Sequence, residues 1–381
     1  MHEVVIVKAK RTPIGKVGGS LSRIPPEKLM QPLLEHIIED LPSEEIDDVI
    51  LGNVVGPGGN MARLSLLTAG IPVTVPGVTV DRQCGSGLEA INMAARLIQA
   101  GAGGLYIAGG VESTSLAPWK IKKPAFIADP KGPELYTRAR FSPDAVGDPE
   151  MGEAAENVAE HYHISREEQD EFASHSHKKA VSAQQDGWFD EELIPVSGIH
   201  TDESPRPKTS LKKLARIKPA FKEGGTVTAG NSCPMNDGAA AVLLMSKEKC
   251  RELGYKPIAR FVDSTSAGVD PNLLGIGPVP AIEKLWKRQN ISEKEIDLVE
   301  FNEAFASQVI ASLKSLSIPY DKVNRSGGAL ALGHPYGASG AILVTRLMTE
   351  LSRGQGTRGI ATLGIGGGMG LASLFEKVKE W

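Results

Sequence analysis

A cysteine, a histidine and an asparagine of this sequence stand in turns where side chains are free to react. Cys84 lies in Asp81-Arg82-Gln83-Cys84-Gly85-Ser86-Gly87. Before it, Val78-Thr79-Val80 reads as a strand. After it, Leu88, Ile91, Ala94, Ala95 and Ile98 recur at three- and four-residue spacing, predicting a helix stopped by Gly101 and Gly103. A thiol at a helix N-terminus meets unpaired N–H groups and the positive end of the macrodipole, and both favour a thiolate. The glycines leave room for a substrate carbonyl to reach the sulfur and the amides. A lone cysteine is commonly a small hydrophobe, but in this glycine-rich turn Cys84 reads as a nucleophile.

The second half of the chain offers partners. Gly333-His334-Pro335-Tyr336-Gly337-Ala338-Ser339-Gly340 sets a histidine in another glycine-rich turn ahead of another helix. Asn302-Glu303-Ala304-Phe305 follows an apolar strand, Leu298–Phe301, and Gly364-Ile365-Gly366-Gly367-Gly368-Met369-Gly370 is a side-chain-poor loop between two short strands. A histidine is tunable near neutral pH and suits a general base. Asn302 could equally be a cap after the strand.

These four segments, in this order, resemble the thiolase family, the coenzyme A-dependent acyltransferases that make or cleave 3-ketoacyl-CoA. The likeness spans nearly the whole chain, including Thr228-Ala229-Gly230-Asn231 and Asn236-Asp237-Gly238-Ala239-Ala240. It implies that Cys84 accepts the acyl group as a thioester and His334 takes the thiol proton. It also implies that Asn302 holds a water which, with His334, forms an oxyanion hole for the coenzyme A thioester. The backbone N–H groups of Cys84 and Gly366 would form a second one around the acyl-cysteine oxygen. One departure matters most: thiolases usually carry a second catalytic cysteine where this chain has Gly364. Cys233, where the family commonly has a serine beside the pantetheine arm, is either a replacement for it or an isosteric stand-in for serine. Cys250, among charged residues, reads as non-catalytic.

The run Arg206–Lys218 carries Arg206, Lys208, Lys212, Lys213, Arg216 and Lys218 with no acid. By itself it is either a solvated face or a landing site for phosphates. The resemblance favours the second, with Arg206 and Lys213 toward the nucleotide, Met151, Ala229 and Cys233 along the pantetheine arm, and Ala304 and Phe305 lining its tunnel. Glu150 stands where many acetoacetyl-CoA thiolases have a histidine. The implied activity is thiolysis or Claisen condensation in fatty acid metabolism, with coenzyme A and acyl-CoA as substrates and no permanently bound cofactor. Gly364 leaves two rivals: an impaired acyl-CoA-binding protein, or a different condensing enzyme on the same fold.

The turns need elements to hold them, and the chain supplies two similar sets. Ser43–Asn53 echoes Ser292–Asn302, and about 30 to 35 residues later each copy has a turn opening a helix, Cys84-Gly85-Ser86-Gly87 and Gly337-Ala338-Ser339-Gly340. Each helix leads to an apolar strand ending in glycines, Leu105–Gly110 and Ile360–Gly364. Two α/β units with largely parallel strands follow, and packed about a pseudo-twofold axis they would bring residues 84, 302 and 334 to one site. The resemblance implies the duplicated, five-layered α-β-α-β-α thiolase fold. Expected boundaries are 1–113 plus 236–256 for the first unit and 257–381 for the second. An inserted loop domain, 114–235, would cover coenzyme A, with helical patterns near 152–163 and 165–186 and a capping box at Ser165–Glu168.

Bulk properties narrow the partners. The 381 residues are 41% hydrophobic and 23% charged with a formal charge of −4, which gives no reason to expect nucleic acid. No apolar run approaches the roughly 18 residues of a membrane span. The first residues enter a strand at once, and the three scattered cysteines suit a reducing compartment, so the expectation is a cytoplasmic protein. The resemblance implies a homodimer or homotetramer, because that fold buries its active-site rim against a partner. His161/His163 and His175/His177 tempt a metal reading, but residues two apart on a helix point about 200° apart, so no metal is expected.

Overall fold

The computed structural model describes residues 1–126, 128–379 and 381. Its first half runs β1 (Val4–Arg11), α1 (Pro26–Ile38), β2 (Asp48–Gly52), α2 (Met61–Thr68), β3 (Gly77–Val80), α3 (Ser86–Ala100) and β4 (Leu105–Ser113). An intervening stretch holds α4 (Met151–His161) and α5 (Arg166–Gln185), and β5 (Asn236–Ser246) returns the chain to the first sheet. The second half runs β6 (Ala259–Gly268), α6 (Pro278–Gln289), β7 (Leu298–Phe301), α7 (Ala306–Leu316), α8 (Tyr336–Ser352), β8 (Arg358–Ile365) and β9 (Met369–Lys377).

The strands line up as β3-β2-β4-β5-β1 and β6-β9-β8-β7, joined edge to edge where Val4, Val5 and Ile6 pair with Phe261, Arg260 and Ala259. Four strands of each half correspond, β2-β4-β5-β1 to β7-β8-β9-β6, and β3 is an extra edge strand of the first. β2 and β4 are parallel, as are β7 and β8, and in each half the next two strands run antiparallel. The sheets are thus mixed, where the sequence predicted largely parallel strands. Only Gly366, Gly367 and Gly368 separate β8 from β9, so the chain reverses directly, with no crossover helix to restore a parallel direction.

Five layers result. α3 and α8 lie between the two half-sheets, sharing a core that includes Leu88, Ile91, Ile98, Val344, Leu347 and Leu351. α1 and α2 cover the outside of the first half-sheet through Leu29, Leu33, Ile37 and Leu66, and α6 and α7 cover the second through Ile282, Leu285, Val309 and Leu313. α8 is buried nearly all round, as a helix between two sheets must be, with Arg346 and Glu350 buried along with its apolar residues. The intervening helices pack on the second half, α4 and α5 against α7 through Val158, Ala173, Ile310 and Ala311. α5 starts at a capping box: Ser165 Oγ accepts from Glu168 N (3.2 Å) and Glu168 returns the bond to Ser165 N (2.8 Å). In the same helix His175 is exposed and His177 buried, so that pair faces opposite ways.

The halves meet backbone to backbone. A Cβ added at Gly110 would lie 1.9 Å from the Gly337 carbonyl oxygen, and one at Gly340 would lie 2.3 Å from Leu88 N. Gly110→Ala is therefore expected to destabilise the protein by about 1–3 kcal/mol or more through overpacking. A urea denaturation midpoint equal to the wild type's would contradict this seam.

Candidate active site

Cys84 sits two residues ahead of α3, where the sequence put it. Gln83 takes φ 48°, an uncommon left-handed conformation for a residue with a side chain, and this bend turns Cys84 out of the strand direction. Local polar bonds hold the bend. Asp81 Oδ1 accepts from Gln83 N (2.8 Å), while Ser86 Oγ accepts from Arg82 N (2.8 Å) and donates to Gln83 O (2.6 Å). The backbone N–H groups of Gly366 and of Cys84 itself lie near enough to the sulfur to favour its anion. Burial outweighs both and pushes the thiol up to about 11. The helix-end thiolate expected from sequence is therefore overturned: at neutral pH the resting group is the thiol, because withdrawal from water costs the anion more than two amides return.

His334 is buried, and burial holds its imidazole down at about 4, so it rests neutral. Gly333 before it has φ 113°, and a Cβ there would collide with the Asn236 side chain. That side chain is in use, since Asn236 Oδ1 accepts from His334 N (3.0 Å). The ring has two partners among the described residues, Ser339 Oγ at Nδ1 (2.6 Å) and Asn302 Nδ2 at Nε2 (3.4 Å). Ser339 spends its one proton on Pro335 O (2.9 Å), so it accepts from Nδ1–H. The Nε2 lone pair then accepts from Asn302 Nδ2 across a long 3.4 Å contact and is the ring's position for taking a proton.

Asn302 follows β7 directly, and its neighbour Glu303 turns inward to accept from Ser176 Oγ (2.6 Å), Asn324 Nδ2 (2.7 Å) and Leu330 N (3.2 Å). Those bonds tie the strand end to the segment carrying His334. Met151, Cys233, Ala304 and Phe305 pack together with Ala155 and Val227 into an apolar wall. Burial pushes the Cys233 thiol far above the ordinary range, and Cys84 lies close enough for its charge to raise it further. Ala229, Arg206 and Lys213 are exposed, with Lys213 Nζ donating to Lys208 O (2.8 Å). The structure thus gathers Cys84, Cys233, Asn302, His334 and Gly366 in the interior and leaves Arg206 and Lys213 on the surface.

Three residues of the site escaped the sequence reading. The Tyr336 ring stands edge-on to His334, centroids 5.1 Å apart at 90°, and its hydroxyl lies within electrostatic reach of Cys84 and Cys233. A polar-tipped aromatic directly after Gly-His-Pro was the available signal. Glu112 ends the buried strand β4 and accepts from Asn53 Nδ2 (3.0 Å), Val54 N (3.1 Å), Val55 N (3.2 Å) and Gly337 N (3.0 Å). A carboxylate there suits the N-terminus of α8, although burial raises it to about 7. An acid closing an apolar strand marked it. Phe141 covers Gly366, whose added Cβ would meet the ring at 2.9 Å, and no local pattern announced that.

Comparison with known proteins places this arrangement. Residues 4–248 match the family described as "Thiolase, N-terminal domain", and residues 255–377 match "Thiolase, C-terminal domain". A protein of Staphylococcus epidermidis named "Putative acetyl-CoA C-acetyltransferase VraB" is 51% identical over 383 residues, covering 99% of both chains. The Bacillus anthracis acetyl-CoA acetyltransferase superposes with a TM-score of 0.94 at 41% identity over 99% of each chain. Human mitochondrial 3-ketoacyl-CoA thiolase, solved in complex with CoA, gives 0.93 at 36% identity over 99% of this chain and 98% of its own. With both domain families matched end to end, the chain belongs to the thiolase family of acyltransferases.

Proposed function

We propose that the protein is an acetyl-CoA C-acyltransferase that cleaves or forms 3-ketoacyl-CoA through an acyl-Cys84 intermediate. The observation that carries this reading is a neutral thiol and a neutral imidazole in one buried site, with backbone N–H groups near the sulfur. Nucleophilic attack forms the C–S bond while His334 Nε2 takes the thiol proton. A resting ion pair is not needed, because proton transfer accompanies bond formation. The N–H groups of Cys84 and Gly366 then receive the negative charge on the carbonyl oxygen. Asn302, beside Nε2, with His334 and a water, serves the oxygen of the coenzyme A thioester.

Coenzyme A is substrate and product. Its pantetheine arm runs along Met151, Ala229, Cys233, Ala304 and Phe305, and its phosphates meet Arg206 and Lys213. Support for this path is the continuous apolar wall inside and the exposed cations outside. No helix among the described residues is long and apolar enough to cross a membrane. Free cysteines fit a reducing cytoplasm and a place in fatty acid metabolism. β3 is the last strand of its sheet, with Val78 exposed, which favours pairing with a second copy in a homodimer or homotetramer. Gly364 favours one rival, a protein that is acylated but does not turn over.

Intact-mass spectrometry after mixing with acetoacetyl-CoA is expected to show an acetyl adduct that maps to Cys84 and is absent in Cys84→Ala. His334→Ala is expected to slow that acylation by roughly 10²–10⁴-fold. Protein left unmodified under conditions that preserve thioesters would refute the enzymatic reading, and an adduct without consumption of acetoacetyl-CoA and CoA would select the rival.

Alkylation of Cys84 by iodoacetamide reports its resting charge. With the thiol pushed up to about 11, the thiolate fraction and the rate should climb about tenfold per pH unit between pH 7 and 10. A plateau reached below pH 7 would mean a thiolate already formed at rest.

Arg206→Glu is expected to weaken coenzyme A binding by roughly tenfold or more, while binding of a pantetheine fragment without the nucleotide changes little. Equal weakening of both, measured by calorimetry, would make the basic run an ordinary surface.

A further inference from the structure

Cleaving the bond between C2 and C3 of a 3-ketoacyl-CoA leaves a carbanion at C2 of the departing acetyl-CoA, and that carbon needs a proton. Gly364 has none to give. Its surroundings are also closed: an added Cβ would come to 2.8 Å from Gln308 Nε2 and 3.2 Å from Gly275 O. Gln308 is buried, and its Oε1 accepts from Phe305 N (3.2 Å), so the amide occupies that space under restraint. His334 is committed to the Cys84 proton. Asp81 and Glu112 also act on Cys84, but their carboxyl groups already accept from the backbone N–H groups of Gln83 and of Val54, Val55 and Gly337. Two further groups with exchangeable protons lie within electrostatic reach of Cys84, Cys233 and Tyr336.

They differ in setting. The Cys233 sulfur belongs to the apolar wall with Met151, Ala155, Val227, Ala304 and Phe305, where it packs as a hydrophobe. Tyr336 is the first residue of α8, its ring braced against His334, and its hydroxyl has no hydrogen-bond partner among the described residues. A half-buried phenol with no protein partner among the described residues, within electrostatic reach of both thiols, has its donor available for substrate.

We propose that the Tyr336 hydroxyl is the acid that protonates the acetyl-CoA carbanion and, as phenolate, the base that activates the incoming coenzyme A thiol. This rests on the thiolase reading above. In the first half-reaction Cys84 S–H gives its proton to His334 Nε2 as the C–S bond forms and the C2–C3 bond breaks, and Tyr336 O–H gives its proton to C2. Acetyl-CoA leaves a phenolate and an imidazolium whose rings are 5.1 Å apart, each favouring the other's charge. In the second half-reaction the phenolate takes the coenzyme A thiol proton, the new thiolate attacks the acyl carbon, and the Cys84 thiolate leaves and recovers its proton from His334. Acyl-CoA departs and every group regains its starting state. Condensation is the same sequence reversed. Burial raises the Tyr336 hydroxyl above the ordinary phenol range, so it rests as the acid and is a strong base once formed.

Tyr336→Phe tests the assignment because it keeps the ring against His334 and removes only the hydroxyl. Three rates are measured on both proteins: thiolysis of acetoacetyl-CoA, enzyme-catalysed deuterium exchange into the methyl group of acetyl-CoA in D2O, and acylation of Cys84 by 4-nitrophenyl acetate. The aryl ester's leaving group needs no proton, so its acylation reports Cys84 and His334 alone. Thiolysis and exchange are expected to fall by roughly 10² more than aryl-ester acylation does, the low end of acid–base contributions. An equal loss in all three would make Tyr336 structural and overturn the proposal. Wild-type-like thiolysis and exchange in Tyr336→Phe, or their loss in Cys233→Ser alone, would overturn it while leaving the thiolase reading intact. A wild-type protein that consumes no acetoacetyl-CoA overturns both.

Discussion

The site depends on a close approach of backbone between the two halves of the molecule. The Gly337 carbonyl oxygen lies where side chains at Gly52, Gly87 or Gly110 would be, 1.9–2.7 Å from Cβ atoms built at those positions. Three glycines of the first half thus let the start of α8 press onto the start of α3. Glu112 fastens the contact by accepting from Gly337 N and from the loop after β2 at once. Because Cys84 precedes α3 and His334 precedes α8, this seam sets the positions of the proposed nucleophile and base. The active site is a consequence of how two copies of one unit meet.

Burial governs the electrostatics that follow. It raises the Cys84 thiol, lowers the His334 imidazole and raises the Tyr336 hydroxyl and Glu112, so each of these groups is biased toward its neutral form. A site of neutral groups costs less to keep out of water than one of ion pairs. Charge then appears only as bonds form, at positions where N–H groups and a neighbouring ring already face it. A resting thiol also reacts sparingly with oxidants and stray electrophiles.

Much of this was legible in the sequence, for physical reasons that differ by element. The helix after Cys84, the strand before Asn302 and the capping box at Ser165 are local patterns, and the structure has each of them at Ser86–Ala100, Leu298–Phe301 and Ser165–Glu168. The internal repeat carried the duplication, now visible as matching strand orders in the two half-sheets. The largely parallel sheet was misjudged because the reversal between β8 and β9 depends on a glycine loop whose direction no periodicity reveals. The helix-end thiolate was misjudged because the helix N-terminus is written in the sequence, whereas desolvation comes from distant segments. Phe141 over Gly366 belongs to that second kind. Tyr336 was readable in type and spacing, but its place beside His334 is set by the packing of α8.

The central claim is that Cys84 carries the acyl group during turnover, and kinetic competence tests it most directly. Rapid chemical quench with acetoacetyl-CoA labelled in its acyl carbons, followed by peptide mapping, gives the rate at which acyl-Cys84 appears and, after coenzyme A is added, disappears. Both rates should equal or exceed steady-state turnover under the same conditions. Turnover faster than either one would mean that the reaction bypasses Cys84.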